Sequence, residues 1–424
     1  MSRSHAGTSA AVALALAASA CGPPPIPDFP RLEVVPPDPA AVDEILFLIG
    51  DGGEVESNRS PILADVAERV ERWSGAVARD SAVTVVFLGD NVYPEGIRDR
   101  SDPAFAGDSA RLWGQIELVG GPDARRRATL GLFLAGNHDW GNMVGEAGVA
   151  RLRNQSEQLE TARASGIRVR LVPEAGTPGP EVIDLRHLTR LIALDTHWFL
   201  QESSMTARTD FFADVLEAAS TAEGRHLILL AHHPYASAGR HGALVPVGEK
   251  LGLAFLLKKS GTLIQDLNSP KYSRLVRQLH AAFEAAERRP LIFAGGHDHS
   301  LQVLGGTGEF DPQYQLVSGS ASKLSRIRSV PELKWGVSQP GYMMIFLLRD
   351  GGVELFVVAS DEGGGPCPAE PEAERLSCME AGSELFRLTY SERLTPPGPP
   401  EQVAPGVPDS LARDTLSSGA NGGA

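Results

Sequence analysis

Between residues 45 and 293, short apolar runs alternate with longer stretches of helical character. The runs cover 45–49, 82–88, 129–135, 191–194, 226–230 and 291–293. Strands separated by helix-length connections predict an α/β domain, with sheets inside and helices outside. The clearest helix spans 272–287, where Leu275, Leu279, Ala282, Phe283 and Ala286 recur three and four residues apart and form one apolar stripe. Pro290 then ends it. Further on, 342–348 and 353–359 flank Arg349-Asp350-Gly351-Gly352, a hairpin pattern with turn chemistry at Asp350-Gly351. No internal repeat is visible.

Five of these runs end beside a side chain able to bind metal. They lead into Gly50-Asp51, Gly89-Asp90, Gly136-Asn137-His138-Asp139, Ala231-His232-His233-Pro234 and Ala294-Gly295-Gly296-His297-Asp298-His299. Sites in α/β sheets form outside the carboxyl ends of strands, so these five ends are expected to meet at one rim. Asp, Asp, Asn and three His make a mixed oxygen and nitrogen set, suited to Fe, Zn or Mn and free of thiolate. Six or seven donors exceed the need of one ion. Two ions sharing one carboxylate, about 3.5 to 4 Å apart, would clamp the attacking and leaving oxygens of a phosphoryl group.

Composition narrows the partners. The 424 residues carry 39 Lys+Arg against 53 Asp+Glu, a formal charge of -14. Without a basic run, such a chain repels a phosphate backbone, so no nucleic-acid binding is expected. At 42% hydrophobic and 22% charged residues the bulk of the chain can bury a core. Eight prolines between 22 and 40 predict an extended tether, and the Pro- and Gly-rich stretch 391–424 predicts a disordered tail. Residues 41–390 are left as the working domain.

The leader reads as an address. Arg3 and His5 precede a small and apolar run, 10–20, that stops at Cys21. It is too short to cross a bilayer, which takes about 20 residues. Ala18-Ser19-Ala20-Cys21 resembles a bacterial lipobox, with Ala18 where Leu is usual, which implies a lipid anchor on Cys21. The alternatives are a signal peptide cleaved nearby, over 1–21, or an Ala-rich leader without structure. The two remaining cysteines, Cys367 and Cys378, are either a local disulfide of an oxidising compartment or two free thiols.

Gly50-Asp51, Gly89-Asp90-Asn91-x-Tyr93, Gly136-Asn137-His138-Asp139, His232-x-Pro234 and Gly296-His297-Asp298-His299, in that order, resemble the calcineurin-like metallophosphoesterase superfamily over roughly residues 43–360. The resemblance implies a four-layer α-β-β-α sandwich, two mixed sheets with helices outside and a dinuclear centre at the strand ends. Most members carry a histidine two residues after the first aspartate; here Gly52 and Gly53 follow Asp51. Purple acid phosphatases also lack that histidine and supply a tyrosine three residues after the bridging aspartate, where this chain has Tyr93. The alternative for Tyr93 is an aromatic packed near the site.

Carried over residue by residue, the resemblance places Asp51, Asp90, Tyr93 and His299 on the first ion. Asp90, Asn137, His232 and His297 then hold the second. A tyrosinate favours Fe(III) in the first position, with Fe(II), Zn(II) or Mn(II) in the second. A hydroxide of that centre would attack phosphorus, with His138 and His241 steadying the phosphate and protonating the leaving oxygen. Asp139 is expected to orient an imidazole or to be structural, and His197, His226, His233 and His280 to be packing or surface residues. Ser318-Gly319-Ser320 has no base or flanking motif to make it a nucleophile.

The implied activity is that of an exported phosphomonoesterase acting on a small phosphorylated substrate. Phosphodiester or nucleotide hydrolysis and non-catalytic metal or phosphate binding are the alternatives. Segments 244–270 and 142–168 are where specificity is expected to lie.

Overall fold

Strands that are apolar at successive positions have to be covered on both faces. In the structure, a computed structural model describing residues 34–121, 129–222, 224–242, 267–360 and 364–396, this is met by two sheets packed face to face, each with helices on its outer side. The chain enters the first sheet with β1 (Val42–Ile49), β2 (Ala82–Phe87), β3 (Leu130–Phe133) and β4 (Val169–Leu171), all parallel. It then builds the second sheet from β5 (Glu181–Leu185), β6 (Thr189–Leu194), β7 (His226–Ala231), β8 (Ile292–Gly295), β9 (Leu301–Gly305), β10 (Tyr314–Ser318) and β11 (Leu333–Val337). Three antiparallel strands, β12 (Gly341–Leu348), β13 (Val353–Ser360) and β14 (Phe386–Leu394), return to complete the first. The orders are β14-β13-β12-β1-β2-β3-β4 and β11-β9-β10-β8-β7-β6-β5.

Three apolar layers hold this sandwich. Leu46 and Leu48 of β1 meet Leu191, Ile228 and Leu230 between the sheets. Ile45, Phe47 and Ile49, one residue out of phase, face helices α1 (Pro61–Ala76), α2 (Phe105–Gly120) and α3 (Glu146–Ala164). On the far side, Ile192, Leu229 and Phe293 pack under α4 (Thr196–Gln201), α5 (Met205–Ser220) and α6 (Pro270–Ala285). This is the expected α-β-β-α architecture.

Local chemistry sets the element boundaries. Helix α6 begins two residues before its apolar stripe, because the Ser269 hydroxyl accepts the Tyr272 N–H at 3.1 Å and Pro270 occupies the first turn. Its buried residues are Tyr272, Leu275, Leu279, Ala282 and Phe283. The β12–β13 hairpin turns at Asp350-Gly351, with Gly351 at φ 86°.

One expectation is corrected. The strand β14 continues to Leu394 inside the stretch assigned to a disordered tail. Within 142–168, residues 146–164 form the regular helix α3. In β14 the pairing with β13, from Ser360 opposite Phe386 to Val353 opposite Leu394, outweighs the tail-like composition that follows. Cys367 and Cys378 are joined in a disulfide with Cα atoms 5.8 Å apart. Its Cys367 end is anchored to Arg59 through Cys367 N–H to Arg59 O at 2.8 Å and Arg59 Nε–H to Cys367 O at 3.0 Å. No helix among the described residues is long and apolar enough to cross a membrane. The leader, residues 22–33 of the tether, most of the 244–270 insertion and residues 397–424 lie outside the described residues.

One core position breaks the apolar rule. Glu44 alternates with Leu46 and Leu48 on the inter-sheet face of β1 and is fully buried. Neither its carboxylate oxygens nor the Thr189 hydroxyl beside it makes a hydrogen bond of good geometry. Burial, partly offset by Thr189, pushes its carboxyl up to about 7 from an ordinary 4.5. Between those values the folded chain binds more protons than the unfolded one. Stability attributable to this group is therefore intact below about pH 4.5 and lost as pH rises through about 7. The loss at alkaline pH is on the order of 3 kcal/mol. Glu44→Gln is expected to flatten the fall in Tm between pH 5 and 8, as read by calorimetry; an unchanged slope would contradict this account.

Candidate metal centre

The two sheets contribute different chemistry to one seam. Oxygen donors come from the first: Asp51 follows β1, Asp90 and Tyr93 follow β2, and Asn137 follows β3. Imidazoles come from the second, with His232 after β7 and His297 and His299 after β8. The sheets are stitched together at this point by His297 N–H to Asp51 Oδ2 at 2.8 Å, His232 Nδ1 to Leu88 O at 2.9 Å and Ser318 Oγ–H to Leu48 O at 2.7 Å. Asp51, Asp90 and His297 sit at φ 61°, 54° and 65°, left-handed conformations that cost about 1–3 kcal/mol each for such residues. Gly89, at φ 90°, clears the way: a Cβ there would come within 2.7 Å of His232 Nδ1.

Two donor clusters share Asp90. In the first, the Tyr93 hydroxyl lies 3.0 Å from Asp51 Oδ1, 2.8 Å from Asp90 Oδ2 and 3.3 Å from His299 Nε2, and His299 Nε2 is 3.4 Å from Asp51 Oδ1. In the second, His232 Nε2 lies 3.1 Å from Asn137 Oδ1, 3.3 Å from His297 Nδ1 and 3.4 Å from Asp90 Oδ1. Each cluster thus faces a different oxygen of Asp90, the disposition a bridging carboxylate needs. Asp51, Asp90 and His232, all buried, bring ligand atoms within 4.8 Å of one another.

The donor set fits a cation. His232 gives its Nδ1 proton to Leu88 O, so its Nε2 presents a lone pair. Asn137 uses its amide nitrogen on Asn142 Oδ1 at 2.8 Å, which turns its own carbonyl oxygen to the same point. Lone pairs facing one another away from water repel unless a proton or a metal ion lies between them. Burial alone would lower the His232 pKa, but Asp90 and Asp51 outweigh it and hold it above its ordinary value. Burial would likewise raise Asp90; the charges of His232 and His138 and the His138 N–H, 2.9 Å from Oδ1, instead hold its carboxyl at about 2. Burial, then the Asp51 and Asp90 charges, push the Tyr93 phenol far up, so tyrosinate forms here only beside a cation that outweighs two carboxylates.

Around the clusters, His138 is part-exposed and holds Pro94 O through Nδ1 at 2.6 Å, leaving Nε2 turned to the mouth, 4.0 Å from Asp90 Oδ2. His241 lies beside His297 with ring centroids 4.5 Å apart and the rings tilted by 42°, and its backbone N–H is held by Asp298 Oδ1 at 3.0 Å. Every expected site residue is therefore at this seam. For Asp139 the structural alternative holds: its carboxylate accepts Gly136 N–H at 2.8 Å, Asn91 N–H at 2.9 Å, Asn91 Nδ2–H at 3.0 Å and Val92 N–H at 3.1 Å. It pins the backbone after Asp90 and orients no imidazole among the described residues.

The remaining histidines have structural partners. His233 bonds Thr196 Oγ1 at 2.8 Å, His226 meets Gly351 O at 3.3 Å and His280 pairs with Asp311 at 2.9 Å. Burial lowers the His197 pKa to about 4, and that side chain reaches Met143 O at 3.3 Å.

Two residues at the seam have no role in the motif pattern. Asp298 stands between the two histidines of Gly296-His297-Asp298-His299, and Lys323 lies past β10, a strand end without a metal-capable side chain. The Lys323 ammonium stands 3.5 Å over the Tyr93 ring.

No protein-family model matches the chain, and no curated protein matches it. Among solved structures it is similar to GAP50, described as the anchor in the inner membrane complex of Plasmodium, at 14% identity and a TM-score of 0.51, covering 84% of this chain and 90% of that one. It is also similar to PhoD at 10% identity and a TM-score of 0.51, covering 86% and 73%. Against purple acid phosphatase PPD1 from yellow lupin seeds the values are 12%, 0.48, 77% and 53%. At such identities the likeness to GAP50 and PhoD shows a shared fold, and the third value is too low to add to it.

A Cβ on Gly136 would overlap Asp90 N and Oδ1, whereas one on Gly75 meets nothing within 4 Å. Gly136→Ala is expected to weaken metal retention at least about tenfold, measured as metal per chain after dialysis against graded chelator. Gly75→Ala should match the wild type; equal retention in both variants would show that Asp90 is not a ligand.

Proposed function

We propose that this chain is an exported metal-dependent phosphohydrolase acting on phosphate monoesters. The observation that carries the reading is the division of Asp90 between two buried donor clusters, each holding oxygen and nitrogen, with His138 and His241 at the open side. A pair of ions held there, one by Asp51, Asp90, Tyr93 and His299 and the other by Asp90, Asn137, His232 and His297, supplies charge neutralisation at the phosphoryl group and lowers the pKa of water from about 15.7 toward 7. Tyr93 matches Fe(III) in the first position; Fe(II), Zn(II) or Mn(II) suits the second.

The chain's own residues do the rest. His138, with Nδ1 committed to Pro94 O, has one nitrogen left to contact a phosphoryl oxygen or deliver a proton to the leaving group. His241, fixed through Asp298, is the second candidate for that proton, a contribution of about 10²- to 10⁴-fold. Asp139 and Asn142 keep Asp90 and Asn137 aimed. The partner is a small phosphorylated molecule, with no nucleic acid. The Cys367–Cys378 disulfide supports export, and the lipobox-like Cys21 supports a membrane anchor as the only attachment.

Wild type loaded with Fe, Mn or Zn is expected to hydrolyse an aryl phosphate faster than an aryl phosphodiester. Asp90→Asn and His297→Ala should each lose at least about 10²-fold in kcat/KM. Equal traces from wild type and variants would leave a non-catalytic binding protein. Iron-loaded wild type should also absorb in the visible through Tyr93, and Tyr93→Phe should abolish or shift the band; a colourless iron-loaded wild type removes Tyr93 from the ligand set.

A further inference from the structure

Beyond the ligands, three cationic residues adjoin the seam although the chain as a whole carries a formal charge of -14. The segment after β10 wraps the site: Ser325 N–H bonds His299 O at 2.7 Å and Arg328 N–H bonds Ala238 O at 2.9 Å. These two contacts run the segment that carries Lys323 and Arg326 along one side of the seam, against the loop after β7 that carries Arg240 and His241. Lys323 lies over the Tyr93 ring at 3.5 Å, so it stands beside the first cluster. Arg240 directly precedes His241, beside the second. Arg240 and Arg326 are exposed and pair with no carboxylate among the described residues. Lys323 pairs with Glu54 at 2.7 Å, both part-exposed, and an exposed pair of this kind is worth at most about 1 kcal/mol, so an anion displaces it readily.

A lone phosphoryl group held by two ions, His138 and His241 has its charge already met. Further cations beside it are matched only by a ligand with more charge, and cations gathered at a cleft in an acidic molecule focus the field there. We infer that the site takes substrates in which a second phosphate adjoins the scissile one, a diphosphate, with Lys323, Arg240 and Arg326 receiving the added charge. This rests on the phosphohydrolase reading for turnover, but not for binding.

The test is calorimetric, on the metal-loaded full chain, with inorganic pyrophosphate against inorganic phosphate and a nucleoside diphosphate against its monophosphate. Wild type is expected to bind each diphosphate at least tenfold tighter than the matching monophosphate; preference in both pairs points to the diphosphate alone, preference in the nucleotide pair only to a nucleoside diphosphate. Arg240→Ala/Arg326→Ala and Lys323→Met should each reduce the ratio to below about threefold, and Arg240→Lys/Arg326→Lys should restore most of it, which separates lost charge from a damaged fold. A wild-type ratio near one, or a ratio unchanged in the alanine double variant, overturns the inference whether or not the protein turns over. Absent turnover with the ratio intact would sink the phosphohydrolase reading and spare this one.

Discussion

Two carboxylates buried where the sheets meet, with imidazoles as their nearest counter-charges, govern the rest of the structure. Asp51 and Asp90 are almost wholly shielded from water. Burying such groups costs several kcal/mol per charge unless something positive stands close. The protein supplies backbone N–H groups at His138 and His297, a phenol and imidazoles that are cationic only when protonated. The left-handed backbone at Asp51, Asp90 and His297, the crowded glycines around them and the Asp139 anchor all serve to keep that charge concentrated. An arrangement this costly to hold together is what a metal-binding cage demands of a fold.

The fold itself does not choose a function. The same sandwich occurs in GAP50, described as an anchor, and in PhoD, at identities too low to carry any residue's role across. What separates a catalyst from a scaffold here is which groups line the open side. His138 has an uncommitted Nε2 there, and His241 is held beside His297. Lys323 stands over Tyr93 and Arg240 adjoins His241, in a chain whose formal charge is -14.

Much of this was legible in the chain because strand ends announce themselves. An apolar run closing on Gly-Asp or Gly-His-x-His fixes both the element and the edge at which its polar residue emerges, and all six runs became strands. The helix 272–287 was equally clear, since five apolar residues share one side. What composition misjudged was decided at long range. Strand β14 exists because β13 offers an edge for it. Nor could the sequence place Lys323 over Tyr93 or commit Asp139 to backbone, because both facts depend on how loops from separate sheets interlock.

The segregation of donors between the sheets also bears on how the molecule comes into being. Every oxygen donor of the candidate centre has been synthesised by Asn137, but the imidazoles arrive only between His232 and His299, and the first sheet is not completed until β12 and its neighbours return after them. A half-made chain therefore has carboxylates without a cage, and competence to capture ions arises late, when the C-terminal half docks. Were the proposed export to carry the chain across a membrane unfolded, the choice of metal would fall to the compartment of arrival rather than that of synthesis.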